Sequence, residues 1–469
     1  MQYLHALIIQ GNSVLWGHIL IYLLIATGVF FTLRTRVIQL RLLGQAVREM
    51  FAERDKGKNT ITPFQAFATG LASRVGTGNM AGVAIAIAAG GPGAVFWMWI
   101  TAFIGMGSAF AESTLAQLFK VSHRDGSYRG GPAYYIKQGL GQKHLGGVFA
   151  ALLILAFGLV FNAVQANSIS AAAAGAWGWD ARLVGIALVL ATAPVIFGGI
   201  RAIARLAQWL VPFMAFIYLG MALVIVVMNS AALPDLLRLI VTHAFGIGQV
   251  AGGVAGHAVN QAMMMGIKRG LFSNEAGMGS APNAAATAHA RHPVSQGLIQ
   301  MLGVFVDTMI LCTATAAIIL LTGAHESGLN GIQLTQKAVE TQFGQPGNAV
   351  VTIAIFLFAF SSILGNYAYA EGNVEYLTRN KTTLRLFRLM VLGMVMFGSV
   401  GSLALVWDMA DLAMGAMALI NLMAILLLGR YVRLAQKDFE IQRASGKPHP
   451  VFLAGHYPAL RAKLERGVW

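Results

Sequence analysis

Long apolar runs constrain this chain more than any other feature. Residues 206–229 read LAQWLVPFMAFIYLGMALVIVVMN, without one Asp, Glu, Lys, Arg or His. As helix, about 20 such residues cross roughly 30 Å of hydrocarbon. The 469 residues are 57% hydrophobic and 11% charged, against about 25% charged in soluble domains. The expected class is an all-α polytopic membrane protein. Spans are placed near 14–33, 63–90, 94–119, 146–175, 182–200, 206–229, 254–288, 295–322, 348–373, 386–406 and 409–429.

The formal net charge of +15 raises nucleic acid as a partner, but its distribution argues for a lipid bilayer. Loops on one side carry Arg34, Arg36, Arg41, Arg48, Arg54, Lys56 and Lys58, then Lys120, Arg124, Arg129, Lys137 and Lys143. The opposite loops show only Arg182, Arg238 and Lys337. This positive-inside asymmetry sets the N-terminus outside and the C-terminus in the cytoplasm. No Lys or Arg precedes the first apolar run, so that span is read as retained, not as a cleaved leader. The single cysteine, Cys312, excludes a disulfide framework.

Two spans are interrupted. Leu71–Ala84 reads LASRVGTGNMAGVA and Phe272–Ala286 reads FSNEAGMGSAPNAAA. A shift of 201 residues lays Gly76 on Gly277, Gly78 on Gly279 and Pro92 on Pro293. The two segments run in opposite directions, and each opens a set of five spans. Glycine weakens a helix by about 1 kcal/mol relative to alanine. Unwound backbone at membrane depth is tolerated only where it lines a cavity or is buried in protein. Paired interruptions in inverted halves point to a transporter site. The second halves are expected to start at Asn79 and at Ser280, with Ser280 as cap and Pro282 in the first turn. Their N–H groups would then suit a carboxylate, and the freed carbonyls before them a small cation. The competing reading is that the glycines only let helices pack closely.

The domain reading follows: 1–62 is an N-terminal span and basic cytoplasmic loop, and 63–229 the first five-helix repeat. Residues 230–253 are an extracellular connection, 254–429 the second, inverted repeat, and 430–469 a basic cytoplasmic tail, solvated near anionic lipid.

SRVGTGNMAGVA, YRGGPAYYIKQGLG (Tyr128–Gly141), KRGLFSNEAGMGSAP and SSILGNYAYAEGN together resemble the alanine-or-glycine:cation symporter family, from about the first span through the eleventh. The resemblance implies a LeuT-like 5+5 inverted repeat with one extra N-terminal span, about 11 transmembrane helices. It implies a secondary active transporter in a bacterial inner (cytoplasmic) membrane, bringing in a small neutral amino acid with Na+ by alternating access. Na+ would be co-transported, not a prosthetic group; H+ coupling is the alternative. By position, Thr77, Gly78 and Asn79 look like one wall of the substrate site, and Phe272, Ser273, Asn274, Gly277 and Met278 like the other. Gln165 matches a position facing the amino acid. The family's alanine transporters usually read ILGWSYYGE where this chain has ILGNYAYAE, Ile363–Glu371. Asn366 thus replaces a tryptophan lid, and Asn283 stands where that subgroup has an aliphatic residue. Both departures look like the glutamine-type branch.

Other polar residues carry two readings each. Asn162 and Gln165 share a helix face, as ligand contacts or as interhelical bonds worth about 0.6 kcal/mol; Asn167 is read as structural. Glu112 is a proton carrier or an acceptor for N–H groups freed at the second break. Arg74 and Glu275 flank the two breaks with opposite charge and are expected to neutralise each other. Ser361 and Ser362, with carbonyls of Val75 and Gly76, would make an oxygen shell for Na+; their bland alternative is bonding their own helix. Asp307, Lys268 and Arg269 have no assigned role. Enzyme chemistry is not expected: no H-E-x-x-H or G-x-x-x-x-G-K-[ST] spacing occurs, and a passive channel has no need of two inverted breaks.

Overall fold

Backbone in hydrocarbon has no water to bond, so these apolar runs satisfy themselves as helices. The structure is a computed structural model describing residues 2–52, 61–123, 126–247 and 253–469. Arg54, Lys56, Lys58 and Arg124 of the charge asymmetry lie outside the described residues. Among the described residues, eight helices are long and apolar enough to cross a membrane: His5–Arg34, Ala94–Leu118, Lys143–Trp177, Ile200–Met228, Pro293–Leu321, Gln345–Leu377, Lys381–Val400 and Leu403–Ala444. Two shorter apolar helices, Gly78–Gly90 and Ala181–Phe197, lie between them. The chain is a multi-pass membrane protein.

The outward faces fit that conclusion. On Ile200–Met228, Val211, Met214, Tyr218, Ala222 and Ile225 are buried while Trp209, Phe213, Phe216 and Leu223 are exposed. That alternation has the helical period, yet both faces are apolar. Inside, Ala94–Leu118 packs along Pro293–Val304 and Gly253–Asn274, and Phe161–Trp177 lies against Gln345–Leu377 and Lys381–Val400. Pro63–Arg74 starts on a capping box. Thr62 Oγ1 accepts from Gln65 N at 3.1 Å, Gln65 Oε1 accepts from Thr62 N at 3.1 Å, and Pro63 fills the first helical position.

Two boundaries differ from the sequence reading. Residues 230–253 contain the helix Leu233–Ala244. The tail is not a solvated end: Leu403–Ala444 continues well past residue 429, because Tyr431, Val432, Ala435, Gln436 and Phe439 form a buried face at helical spacing. The chain then folds back over the ends of other helices. Phe452 N donates to Arg291 O at 3.0 Å, Lys463 Nζ to Gly139 O at 2.7 Å and Trp469 Nε1 to Leu118 O at 3.1 Å.

Candidate functional site

Pro63–Arg74 ends where Val75 leaves the helical region, at φ −76° and ψ 89°. Val75 N makes the last regular bond, to Leu71 O at 2.7 Å. Gly76 N then donates to Asn79 Oδ1 at 3.0 Å, and Asn79 N to Gly76 O at 3.2 Å. The chain resumes as a widened π-helical stretch, Gly78–Gly82, and continues as Val83–Gly90. The second half therefore starts ahead of Asn79, whose side chain satisfies the freed Gly76 N–H.

The second interruption is longer and differently built. Gly253–Asn274 stops, and Pro282–Thr287 follows with Pro282 in its first turn, as expected. Between them Glu275, Gly277 and Gly279 have φ of 58°, 86° and 85°. Glycine takes that left-handed region without steric cost, whereas glutamate must be held there. Gly76 and Gly78 are not left-handed, so the letters that match at the 201-residue shift serve different ends. In the first break they permit contact: a Cβ on Gly76 would lie 2.1 Å from Ser362 Oγ, and one on Gly78 would lie 2.9 Å from Ser273 Cα.

Glu112 meets the geometry expected of an acceptor. Gly277 N and Gly279 N donate to its two carboxylate oxygens at 3.1 Å each. Asn421 Nδ2 donates to Glu112 Oε2 at 2.7 Å and to Gly277 O at 2.9 Å, and Tyr135 bonds Asn421 Oδ1. Buried N–H groups must find partners, and those of Gly277 and Gly279 find theirs in Glu112. Ser280 is not a cap either. It donates to Glu275 Oε2 at 2.6 Å, and Ala281, without a side-chain bond, precedes the helix.

Asp307 ties the two breaks together. Its carboxylate accepts from Asn79 Nδ2 at 2.7 Å, Ser273 Oγ at 2.8 Å and Thr308 Oγ1 at 2.8 Å. Cys312 Sγ lies 3.4 Å from Asn79 Nδ2 and 3.2 Å from Ser273 Oγ. Gln165 Oε1 accepts from Thr77 N at 3.0 Å and Thr77 Oγ1 at 2.7 Å. Asn274 Nδ2 donates to Thr308 Oγ1 at 3.2 Å, and Met278, buried, donates its N–H to Glu275 O at 3.1 Å.

The Arg74–Glu275 pair is not formed. Arg74 Nη1 donates to Gln300 O at 3.3 Å, whereas Glu275 accepts from Ser73 Oγ at 2.8 Å and from Ser280. The reason is direction. A side chain at the end of a helix leans back toward its N-terminus, which turns Arg74 onto Gln300 and Gly303.

Ser361 and Ser362 do face the end of the first half-helix. Ser362 Oγ lies 2.9 Å from Ala72 O, 3.1 Å from Phe358 O and 3.3 Å from Val75 O. Ser361 Oγ lies 2.8 Å from Phe358 O and 3.5 Å from Ala72 O. The oxygens brought together are thus those of Ala72, Val75, Phe358, Ser361 and Ser362. Gly76 O is engaged by Asn79 N, so the carbonyl next to Val75 in this cluster is that of Ala72.

Asn366 Oδ1 lies 2.7 Å from Ser73 Oγ, and Asn366 Nδ2 donates to Asn162 Oδ1 at 3.2 Å. Asn167 Nδ2 donates to Gly398 O and Gly401 O at 3.1 and 2.7 Å, binding helix to helix. Asn283 is not at the wall with Asn366. Its amide donates to Gly279 O and Ser280 O and accepts from Asn373 Nδ2 at 2.9 Å.

Lys268 and Arg269, unassigned from sequence, both reach Asp411, Lys268 Nζ at 2.9 Å. Arg269 also lies over the Trp407 ring at 4.6 Å. Trp407 meets Phe272 at 4.6 Å between centroids, and Phe272 meets Phe161 at 4.7 Å. Asp411, Trp407, Asn421 and the Ala72 and Phe358 carbonyls are the site residues that sequence reasoning missed.

Residues 1–454 match the sodium:alanine symporter family. A probable sodium/glutamine symporter of Bacillus subtilis is 48% identical over 94% of this chain and 92% of its own. An amino-acid carrier protein of the same organism is 49% identical over 98% and 97%. A sodium/alanine symporter of Methanococcus maripaludis is 39% identical over 93% and 97%. The chain belongs to the sodium:alanine symporter family.

Proposed function

We propose that this chain is a secondary active transporter, not an enzyme, that carries a small neutral amino acid into the cell together with Na+. Two interrupted helices pressed together backbone to backbone, Gly78 against Ser273, are the observation that carries the reading. The names of the three relatives support the substrate class and the ion. The architecture that accounts for both breaks is a LeuT-like 5+5 inverted repeat with one extra N-terminal span and eleven crossings, N-terminus outside and C-terminus in the cytoplasm.

The residues fit a small hard cation, which prefers oxygen ligands. Helix termination frees the carbonyls of Ala72 and Val75, and Phe358, Ser361 and Ser362 supply three more oxygens from the facing helix. Serine hydroxyls that now donate to carbonyls rotate their hydrogens away when a cation enters. Thr77, Gly78 and Asn79 with Phe272, Ser273, Asn274, Gly277 and Met278 form the amino-acid site, Gln165 orients it, and Glu112 holds the turn. One cation entering at about 100 mV gains roughly 2.3 kcal/mol. A tenfold gradient adds about 1.4 kcal/mol, enough for several hundredfold accumulation.

Asn366, Asn162 and Gln165 give this site three carboxamides, which favours an amide-bearing substrate such as glutamine over alanine. Proteoliposome uptake with and without Na+, competed by alanine, glycine, serine and glutamine, tests both points. Na+-dependent uptake best competed by glutamine is expected, and Asn366→Trp is expected to move the preference toward alanine. Uptake indifferent to Na+ would refute the coupling. An unchanged competition profile would remove Asn366 from selectivity.

A further inference from the structure

The motif Tyr128–Gly141 supports the second break through Tyr135 and Asn421, and its other side forms one wall of a cavity of about 680 Å³. The other walls are Val374–Leu377 at the end of Gln345–Leu377, the turn into Lys381–Val400, and Glu465. The floor is fixed by hydrogen bonds and an ion pair. Arg129 Nε donates to Glu375 Oε2 at 2.8 Å and Arg129 Nη1 to Ser127 Oγ at 2.6 Å, and His123 lies 3.9 Å from the same carboxylate.

The rim is not neutral. Lys137, Arg379 and Lys381 line the cavity, are exposed, and enter no ion pair among the described residues. Among the described lining residues, Glu465 is the one carboxylate outside the Arg129 pair. The Tyr376 hydroxyl and Gln138 Oε1, on two further lining residues, are buried without a hydrogen-bond partner. Leu377 on the cavity wall is exposed, and Leu386, Leu389 and Met390 are exposed farther along the helix that starts there. Lys381–Val400 is itself long and apolar enough to cross a membrane.

We propose that this cavity binds the phosphate of an anionic phospholipid headgroup from the cytoplasmic leaflet, with its acyl chains along Leu386, Leu389 and Met390. Three cations without an ion pair among the described residues, at the end of an apolar helix, match a phosphate attached to a hydrocarbon tail. A soluble phosphate ester shares the charge but leaves the apolar strip uncovered. The helix that carries Ser361, Ser362 and Asn366 ends in this cavity, so headgroup binding bears on the element bearing the ion ligands. The proposal rests on the cytoplasmic placement of this face and needs no transport for its test.

The full chain, purified with phosphatidylglycerol and passed through detergent exchange, is examined by native mass spectrometry. Wild type and a charge-matched control, Lys137, Arg379 and Lys381 intact but Lys437→Gln, Arg443→Gln and Lys447→Gln, are expected to retain the lipid. Lys137→Gln with Arg379→Gln and Lys381→Gln is expected to weaken retention by about tenfold or more, at roughly 1 kcal/mol per cation, while still inserting. Equal retention by both triple variants overturns the proposal. Displacement of the lipid by millimolar inorganic phosphate, without dependence on acyl chains, assigns the cavity to a soluble anion and overturns it too.

Discussion

Asp307 accepts a hydrogen bond from Asn79 at 2.7 Å while also accepting from Ser273 at 2.8 Å. One carboxylate of the Pro293–Leu321 helix thereby holds both interrupted helices in register, and it is fully buried. Asp307→Asn keeps the volume but turns one acceptor into a donor, facing a donor on Asn79 or a hydroxyl. Hydrogen bonds to charged groups contribute about 1.5–3 kcal/mol, so initial Na+-driven uptake is expected to fall tenfold or more at normal membrane abundance. Uptake within twofold of wild type would show that this link does not position the breaks.

Gly76 and Ser362 make a second prediction through contact alone. A methyl on Gly76 would sit 2.1 Å from Ser362 Oγ and 2.8 Å from Gln165 Oε1. Gly76→Ala is expected to abolish uptake, because both neighbours belong to the candidate ion and substrate sites and must leave their present positions to admit the methyl. Ser362→Ala removes one oxygen and leaves the backbone in place, so it is expected to raise the half-saturating Na+ concentration about tenfold with less effect on the maximal rate. Equal Na+ dependence in wild type and Ser362→Ala would take this serine out of the ion shell.

The interrupted helices were legible because Gly-x-Gly beside polar letters in an apolar run has few other uses, and Glu112 because a buried acid needs donors. The oxygens of Ala72 and Phe358 were not, since a carbonyl is carried by every residue and only the point of helix termination frees it. Asp411 is more than a hundred residues from Lys268 and Arg269, so nothing local links them. The matched glycines misled in one respect. Equal spacing does not mean equal conformation: of the four, only Gly277 and Gly279 are left-handed. In the tail, the buried spacing of Tyr431, Ala435 and Phe439 was present in the letters, but the charges between them outweighed it.

Arg269 and Lys268 meet Asp411 at one end of the candidate site, and Arg269 stacks on Trp407, which leads through Phe272 to Phe161. Cys312, the only cysteine of the sequence, lies against Asn79 and Ser273 beneath those rings. It is therefore a built-in reporter of access. Removing one charge from a buried pair leaves the other uncompensated, so Asp411→Asn is expected to favour states in which this end is open. Labelling of Cys312 by a membrane-impermeant thiol reagent from outside should quicken severalfold in Asp411→Asn, with Cys312→Ser as the blank. Unchanged labelling would mean that the Asp411 cluster does not gate access.

His292 supplies a pH-dependent link between the folded-back C-terminal segment and the helix it touches. Its Nδ1 accepts from Val294 N at 3.1 Å while Nε2 faces Asp438 at 3.0 Å, an arrangement that requires the neutral ring. Burial accordingly holds His292 below its ordinary value of 6.5. Burial pushes Asp438 the other way, but hydrogen bonds from His292 and Tyr457 keep it below the usual carboxylate value of 3.8. Both groups bind protons more readily once released, so the docked state loses stability as pH falls. The histidine contribution is present above about pH 6.5 and fades below it, whereas that of Asp438 is lost only below its own acid range. Hydrogen exchange across residues 452–469, corrected for the intrinsic pH effect, is expected to rise from pH 7.5 to pH 5.5. His292→Asn keeps an acceptor at the cap and removes the titration, so its exchange should not respond over that interval. A response equal to that of wild type would place the switch elsewhere.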